Sequence, residues 1–70
     1  MERKALRSTN VASVGYDTKS KVLEIEFKSG GVYQYSNVPE KRHQSLMKAS
    51  SIGSYVNREI KPWYSCRKIA

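Results

Sequence analysis

A chain of 70 residues forms one small domain, and a domain of this size buries only about 60% of the surface that its unfolded chain exposes. The formal net charge is +7 at pH 7. The single cysteine, Cys66, cannot form an internal disulfide, and there is no apolar run of about 18 residues that could cross a membrane. These features predict a soluble protein of the reducing cytoplasm, without a membrane partner and too small for a deep catalytic cleft.

The positive charge is concentrated in the second half of the chain. Residues 1–35 carry six Lys or Arg and four Asp or Glu, whereas residues 36–70 carry seven basic residues and two acidic ones. An excess of this kind favours a polyanion such as nucleic acid as the partner. Lysines also keep small proteins soluble and protect the edges of sheets, so solubility is the alternative explanation.

Residues 1–10 are mostly polar and show no apolar periodicity, which predicts a flexible N-terminal arm. We expect residues 11–70 to form a single domain. Residues 11–16 are small, β-branched or aromatic, and turn-forming residues follow at 17–20, so they predict a first strand and a tight connection.

Residues 22–28 have the pattern of a half-buried strand, because apolar and charged side chains alternate strictly from Leu23 to Lys28. Leu23, Ile25 and Phe27 share one face. Glu24 and Glu26 share the other, which we expect to be a solvated strand face rather than a catalytic carboxylate pair.

The loop after this strand determines which face the two tyrosines of the next strand take. A two- or four-residue loop would expose Tyr33 and Tyr35 and bury Gln34 and Ser36, at a cost of about 1 to 3 kcal/mol for each unpaired polar group. A three-residue loop at Ser29-Gly30-Gly31 instead places Tyr33 opposite Phe27 and both rings on the apolar face. We therefore predict that both rings lie in the core, with their hydroxyls at its rim, and that the polar opposite face is a poor platform for nucleic acid.

The periodicity becomes helical after Val38. Asn37 and Glu40 have the spacing of a capping box, and a helix of about three turns should follow, with Lys41 and Lys48 facing water. Gly53 should then interrupt the helical run, Ser54 should cap a short second helix, and Pro62 should end it.

Neither His43 nor the rest of the chain indicates catalysis. His43 is the only histidine and falls at the boundary of the predicted core, where a packing role is commoner than a catalytic or ligand role. There is no phosphate-binding loop, no nucleophile elbow and no group of residues with metal-ligand spacing. We expect a protein that is not an enzyme and has no cofactor or metal.

The tail after Pro62 interleaves aromatic and basic residues, from Trp63 to Lys68. This composition suits a sugar–phosphate backbone with a base stacked nearby. The alternative is that Trp63 closes one end of the core while the last residues fray.

Five short segments are distinctive in their order and spacing. They are Ser13-Val14-Gly15-Tyr16-Asp17, Leu23-Glu24-Ile25-Glu26-Phe27, Gly31-Val32-Tyr33-Gln34-Tyr35 with Val38-Pro39, Leu46 with Ala49-Ser50-Ser51, and Gly53-Ser54-Tyr55-Val56-Asn57 with Ile60. Together they resemble the KTSC domain family. The family occurs as small bacterial or phage proteins and at the C-terminus of some lysyl-tRNA synthetases. The resemblance implies at most a suggested role in RNA binding and no catalytic residues. This chain departs from the family pattern at Arg42 and His43, where relatives have an apolar or aromatic pair, and at Pro62-Trp63.

The sequence as a whole predicts an α+β fold, a three-stranded antiparallel β-meander followed by two short helices packed on one face of the sheet. It also predicts a monomeric binding module for RNA, with tRNA as a candidate RNA and with a protein-interaction module as the alternative. The candidate phosphate-binding residues are Lys41, Lys48, Arg58, Lys61, Arg67 and Lys68, and the candidate stacking residues are Arg42 and Trp63.

Overall fold

The strictly alternating segment becomes the central strand of a five-stranded sheet in the computed structural model, which describes all of residues 1–70. The strands are β1 (Lys4–Ala5), β2 (Val11–Asp17), β3 (Val22–Phe27), β4 (Val32–Tyr35) and β5 (Cys66–Lys68). They lie side by side in chain order, and every neighbouring pair is antiparallel. The predicted meander is confirmed as β2–β3–β4, but the prediction of three strands is wrong.

The two additional strands lie at the edges of the sheet. β1 pairs with β2, and β5 pairs with β4, so that the predicted fraying tail is an ordered strand. All residues of β1 and β5 are exposed. These strands are held by backbone pairing and bury no apolar face, so they leave no alternating pattern in the sequence.

The hairpin between β3 and β4 confirms the predicted face of the tyrosines and corrects their register. Tyr33 lies opposite Ile25 and Tyr35 opposite Leu23, two residues away from the predicted pairing. The three-residue turn is residues 28–30, closed by Gly30 N–H donating to the Phe27 carbonyl at 3.0 Å. A shift of two residues keeps every side chain on its face, because side chains alternate along a strand.

The helices lie between β4 and β5 in the chain. Helix α1 is Glu40–Lys48, and helix α2 (Ile52–Tyr55) continues directly into a π-helical turn at Val56–Ile60. The predicted capping box is absent: Pro39 is the N-cap of α1 without a side-chain cap, and Asn37 adopts a left-handed turn conformation with φ 58°.

Helix α2 starts before the predicted position. Ser51, rather than Ser54, is its N-cap, and the Ser51 hydroxyl accepts a hydrogen bond from the backbone N–H of Ser54. Gly53 is buried inside the helix, where a Cβ would come 3.1 Å from the side-chain nitrogen of Asn10. This glycine therefore serves close packing against the arm and does not interrupt the helix.

The core lies between the helices and one face of the sheet, called the inner face below. The ten buried apolar residues of this core are Val11, Val14, Leu23, Ile25, Tyr35, Val38, Leu46, Ile52, Val56 and Ile60. A bulge in β2 between Val11 and Ser13 brings both Val11 and Val14 to the inner face, although they are three residues apart. The helices lack the length and the hydropathy that a membrane-spanning helix requires.

The N-terminal residues lie against the other face of the sheet, called the outer face below. A Cβ on Gly15 would come 2.4 Å from the Glu2 carbonyl oxygen, so β2 needs glycine where the arm passes over it. Residues 1–10, predicted to be a flexible arm, thus include β1; the flexibility itself stays a prediction.

Candidate nucleic-acid interface

Helix α1 carries two of the predicted phosphate-binding residues on its solvent side. Lys41 and Lys48 are both exposed, and they are seven residues apart, which is two helical turns. They therefore lie along one side of α1, with Ser45 between them. Neither lysine forms an ion pair.

A cleft of about 390 Å³ adjoins this side of α1 and brings Arg58 close to it. Its lining residues are Ser45, Ala49, Ser50, Ser51, Ser54, Tyr55 and Arg58. Four serine hydroxyls and a guanidinium are groups that donate hydrogen bonds to phosphate oxygens. The sequence predicts Arg58 but not the serines, which come together only when α1 packs beside α2. We call Lys41, Lys48, Arg58 and the four serines the helix-side basic surface.

Arg42, unlike Lys41 and Lys48, forms side-chain hydrogen bonds with other residues of the protein. Its guanidinium donates to the Glu59 carboxylate at 2.9 Å and lies 3.5 Å from the Tyr55 hydroxyl. Hydrogen bonds with Tyr55, Tyr64 and Glu59 raise the pKa of Arg42 above its already high ordinary value. The side chain connects α1 to the π-helical turn, so its predicted stacking on a base would require it to leave these contacts.

Lys61 and Lys68 lie near a second cleft, at the end of the inner face beside the β3–β4 turn. The Lys61 ammonium lies 5.1 Å from the centre of the Phe27 ring, in cation–π geometry. Lys68 pairs with Tyr33 across β4 and β5, so its side chain shares the inner face with that ring.

The side chains of Trp63 and Arg67 form no hydrogen bond or ion pair. Trp63 is 69% exposed, so the alternative that it closes the core is wrong. Arg67 pairs with Gln34, which places its side chain on the outer face, opposite to that of Lys68. The predicted residues thus do not all share one face, since Arg67 lies on the outer face of the sheet and Lys68 on the inner face.

The outer face is polar and acidic, as predicted, but it is not uniformly solvated. Glu24 is only 6% exposed and is covered by Arg3. Gln34 donates to the Glu24 carboxylate at 2.9 Å, and Ser13 donates to Glu26 at the same distance. The hydrogen bond from Gln34, reinforced by Arg3, holds the pKa of Glu24 below its ordinary range. This carboxylate therefore stays charged and bound to Arg3, which makes it unsuited to acid–base chemistry.

Some residues that the sequence predicts to be in the core line a cleft in the structure. Phe27 and Tyr33 are only half-buried, and together with Tyr35 and Cys66 they line the cleft beside Lys61. Their alternation with polar residues predicted the inner face correctly. It carried no signal that the helices cover one end of that face less completely than the other.

Comparison with known proteins agrees with this fold along nearly the whole chain. The structure is similar to the crystal structure of a KTSC domain protein from Yersinia pestis, with a TM-score of 0.96, 42% identity, and coverage of 99% of this chain and 97% of that one. An uncharacterized protein of Stutzerimonas stutzeri is 44% identical over 62 residues, which cover 89% of this chain and 87% of that protein.

A third relative is a much larger protein. A lysine–tRNA ligase of Nostoc punctiforme is 39% identical over 51 residues, or 73% of this chain, but the match spans only 9% of the ligase. The model of the KTSC domain matches residues 7–64, which include β2 to β4 and all of the helical part. The chain therefore belongs to the KTSC domain family.

Proposed function

We propose that this protein is a non-enzymatic RNA-binding module whose helix-side basic surface binds the phosphate backbone. One observation carries the proposal: every ion pair in the structure uses an arginine, while all eight lysines are exposed and unpaired. The positive charge of the lysines is not neutralised within the molecule. It is available to a polyanion, whose release of counterions would drive binding.

The hydroxyl-rich cleft adds hydrogen-bond donors to this charge. Lys41 and Lys48 supply point charges on one side of α1, and Ser45, Ser54 and Arg58 supply donors across the cleft. Contacts of this kind recognise the shape and charge of a backbone and not its sequence. The kinship with a segment of a lysine–tRNA ligase supports tRNA as the first RNA to test.

The test is a titration of the protein with total tRNA at two salt concentrations. We expect binding whose affinity falls steeply with salt, because neutralising about five phosphates gives a logarithmic slope of roughly −4. The double variant Lys41→Glu/Lys48→Glu should lose most of the affinity. A matched control is Arg7→Glu/Lys19→Glu, which changes the net charge equally at exposed positions outside the helix-side basic surface.

Equal loss in the two double variants would show that only net charge matters and would contradict the assignment to this surface. No binding at low salt would overturn the RNA proposal as a whole. The positive charge would then serve solubility.

A protein-interaction module is the second candidate, and β5 is the feature that favours it. This strand is an edge of the sheet, and all three of its residues are exposed. An exposed edge can accept a strand from a partner through backbone hydrogen bonds. Binding of that kind would be nearly independent of salt, which separates it from the RNA proposal.

A further inference from the structure

The cleft at the end of the inner face has the size and chemistry of a small ligand site. Its volume is about 380 Å³, within the range of about 300 to 1,000 Å³ that is usual for such pockets. The lining residues are Phe27, Ser29, Gly30, Tyr33, Tyr35, Lys61 and Cys66. No acidic side chain is among them.

Two aromatic rings form its apolar wall. Phe27 and Tyr33 contact each other edge-to-face with 5.6 Å between ring centres, and both are half-buried, whereas Tyr35 is 3% exposed and belongs to the core. An aromatic ring whose face is not covered by the protein can stack, in an offset arrangement, with the planar ring of a ligand. The space beside Gly30 in the turn is open, since no atom lies within 4 Å of the position that a Cβ would take there.

Two lysines border the rings. The Lys61 ammonium lies over Phe27, and the Cε atom of Lys68 and the Cε1 atom of Tyr33 lie 3.2 and 3.1 Å from the position of a Cβ on Gly31. Lys61 therefore occupies a face of Phe27, Lys68 lies beside Tyr33, and neither lysine has an acidic partner. A ligand that is complementary to both the aromatic rings and the two lysines has a planar ring with a negatively charged group attached to it.

We propose that this cleft binds one unpaired nucleobase of the RNA, stacked on Tyr33 beside Phe27, with the adjoining phosphate held by Lys61 and Lys68. The inference rests on the proposed function and extends it from the phosphate backbone to a single base. The base must be unpaired, because a base inside a duplex has both of its faces covered by neighbouring bases and cannot enter a cleft. The Ser29 hydroxyl and the Cys66 thiol supply polar groups near the edge of the base.

The test compares a single-stranded RNA pentamer with a blunt RNA duplex by NMR on the wild-type protein. We expect the pentamer to shift the ring resonances of Phe27 and Tyr33, while the duplex shifts only the resonances of the helix-side basic surface. The wild-type measurement does not depend on any variant folding correctly.

Two variants of Tyr33 make the test quantitative. Tyr33→Leu, which keeps an apolar side chain but removes the ring, should weaken pentamer binding about five-fold or more and leave duplex binding unchanged. Tyr33→Phe keeps the ring and should bind the pentamer like the wild type. Lys61→Gln should lower the salt slope for the pentamer by about one phosphate contact.

The outcomes separate this inference from the proposed function. If Tyr33→Leu binds the pentamer as well as the wild type does, or if the pentamer leaves the Phe27 and Tyr33 resonances unshifted, the cleft is not a base site, although the RNA proposal can stand. If neither RNA nor tRNA binds at low salt, both proposals are overturned.

Discussion

Arg3 donates a hydrogen bond to the buried carboxylate of Glu24 and so ties the N-terminal arm to the centre of the sheet. The side chain of Glu24 is 8% exposed and that of Arg3 is 30% exposed. Arg3 also donates to the Ser13 hydroxyl at 3.0 Å. Arg3 lies outside the residues that the family model matches. Its positive charge nevertheless compensates the negative charge of Glu24 in the central strand β3.

We expect Arg3→Ala to lower the free energy of unfolding by about 1 to 3 kcal/mol, since it leaves a buried carboxylate without its cationic partner. Urea denaturation followed by circular dichroism measures the change. Arg7→Ala is the matched control, because Arg7 is exposed and forms no side-chain hydrogen bond or ion pair, and it should change stability by less than about 0.5 kcal/mol. Equal effects of the two variants would contradict the role of Arg3.

Gly15→Ala should detach the arm and leave the core intact. A Cβ would come 2.4 Å from the Glu2 carbonyl oxygen and 3.0 Å from Cγ of Arg3, so the arm must move away from β2. Hydrogen exchange should show loss of protection at the amides that pair β1 with β2, while protection in β3 remains. In a chain that lacks residues 1–6, the same substitution should cost less than about 0.5 kcal/mol, because the obstructing arm is gone. A large cost in the shortened chain would show that Gly15 has another role.

His43 should make stability fall as the pH is lowered from 7.5 to 5. Its ring stacks on Tyr16 with 4.8 Å between centres, which agrees with the predicted packing role, and burial lowers its pKa below the ordinary value, against a weaker opposing effect of Glu40. The unfolded chain therefore takes up the proton first, so stability is lost below the ordinary pKa of about 6.5. Glu24, whose pKa is also lowered, contributes only at more acidic pH.

Urea denaturation at several pH values tests this. The variant His43→Phe keeps an aromatic ring against Tyr16 but does not titrate, and its stability should be nearly constant over the same interval. A variant with the same pH dependence as the wild type would assign the effect to another group.

Trp63→Ala should leave the stability of the fold nearly unchanged, whereas Ile60→Ala, one helical turn earlier, should lower it. Trp63 is 69% exposed, so its removal should alter the free energy of unfolding by less than about 1 kcal/mol. Ile60 is 0% exposed, and Ile60→Ala should cost about 2 to 5 kcal/mol. Thermal unfolding of the two variants decides between the exposed position and a role of Trp63 in the core. If Trp63→Ala costs as much as Ile60→Ala, the exposed placement is contradicted.

The sequence predicted the centre of the domain well, because burial leaves a periodic pattern in the chain. The alternation at Leu23, Ile25 and Phe27 indicated the inner face, and the loop argument placed Tyr33 and Tyr35 on it. The helical spacing after Val38 indicated α1. In each case the cost of burying a polar side chain restricts which residues can share a face, so the pattern can be recognised without knowledge of the fold.

Only the tertiary structure decided the edges of the sheet, the environment of Glu24 and the positions of the basic residues relative to one another. β1 and β5 pair through their backbones and bury no side chains, so nothing in their composition distinguishes them from a flexible arm or a fraying tail. Arg3 contacts Glu24, and Ser45 and Arg58 line the same cleft, only because distant segments pack together. Such contacts depend on how elements are arranged in space, whereas periodicity records only which side of each element is buried.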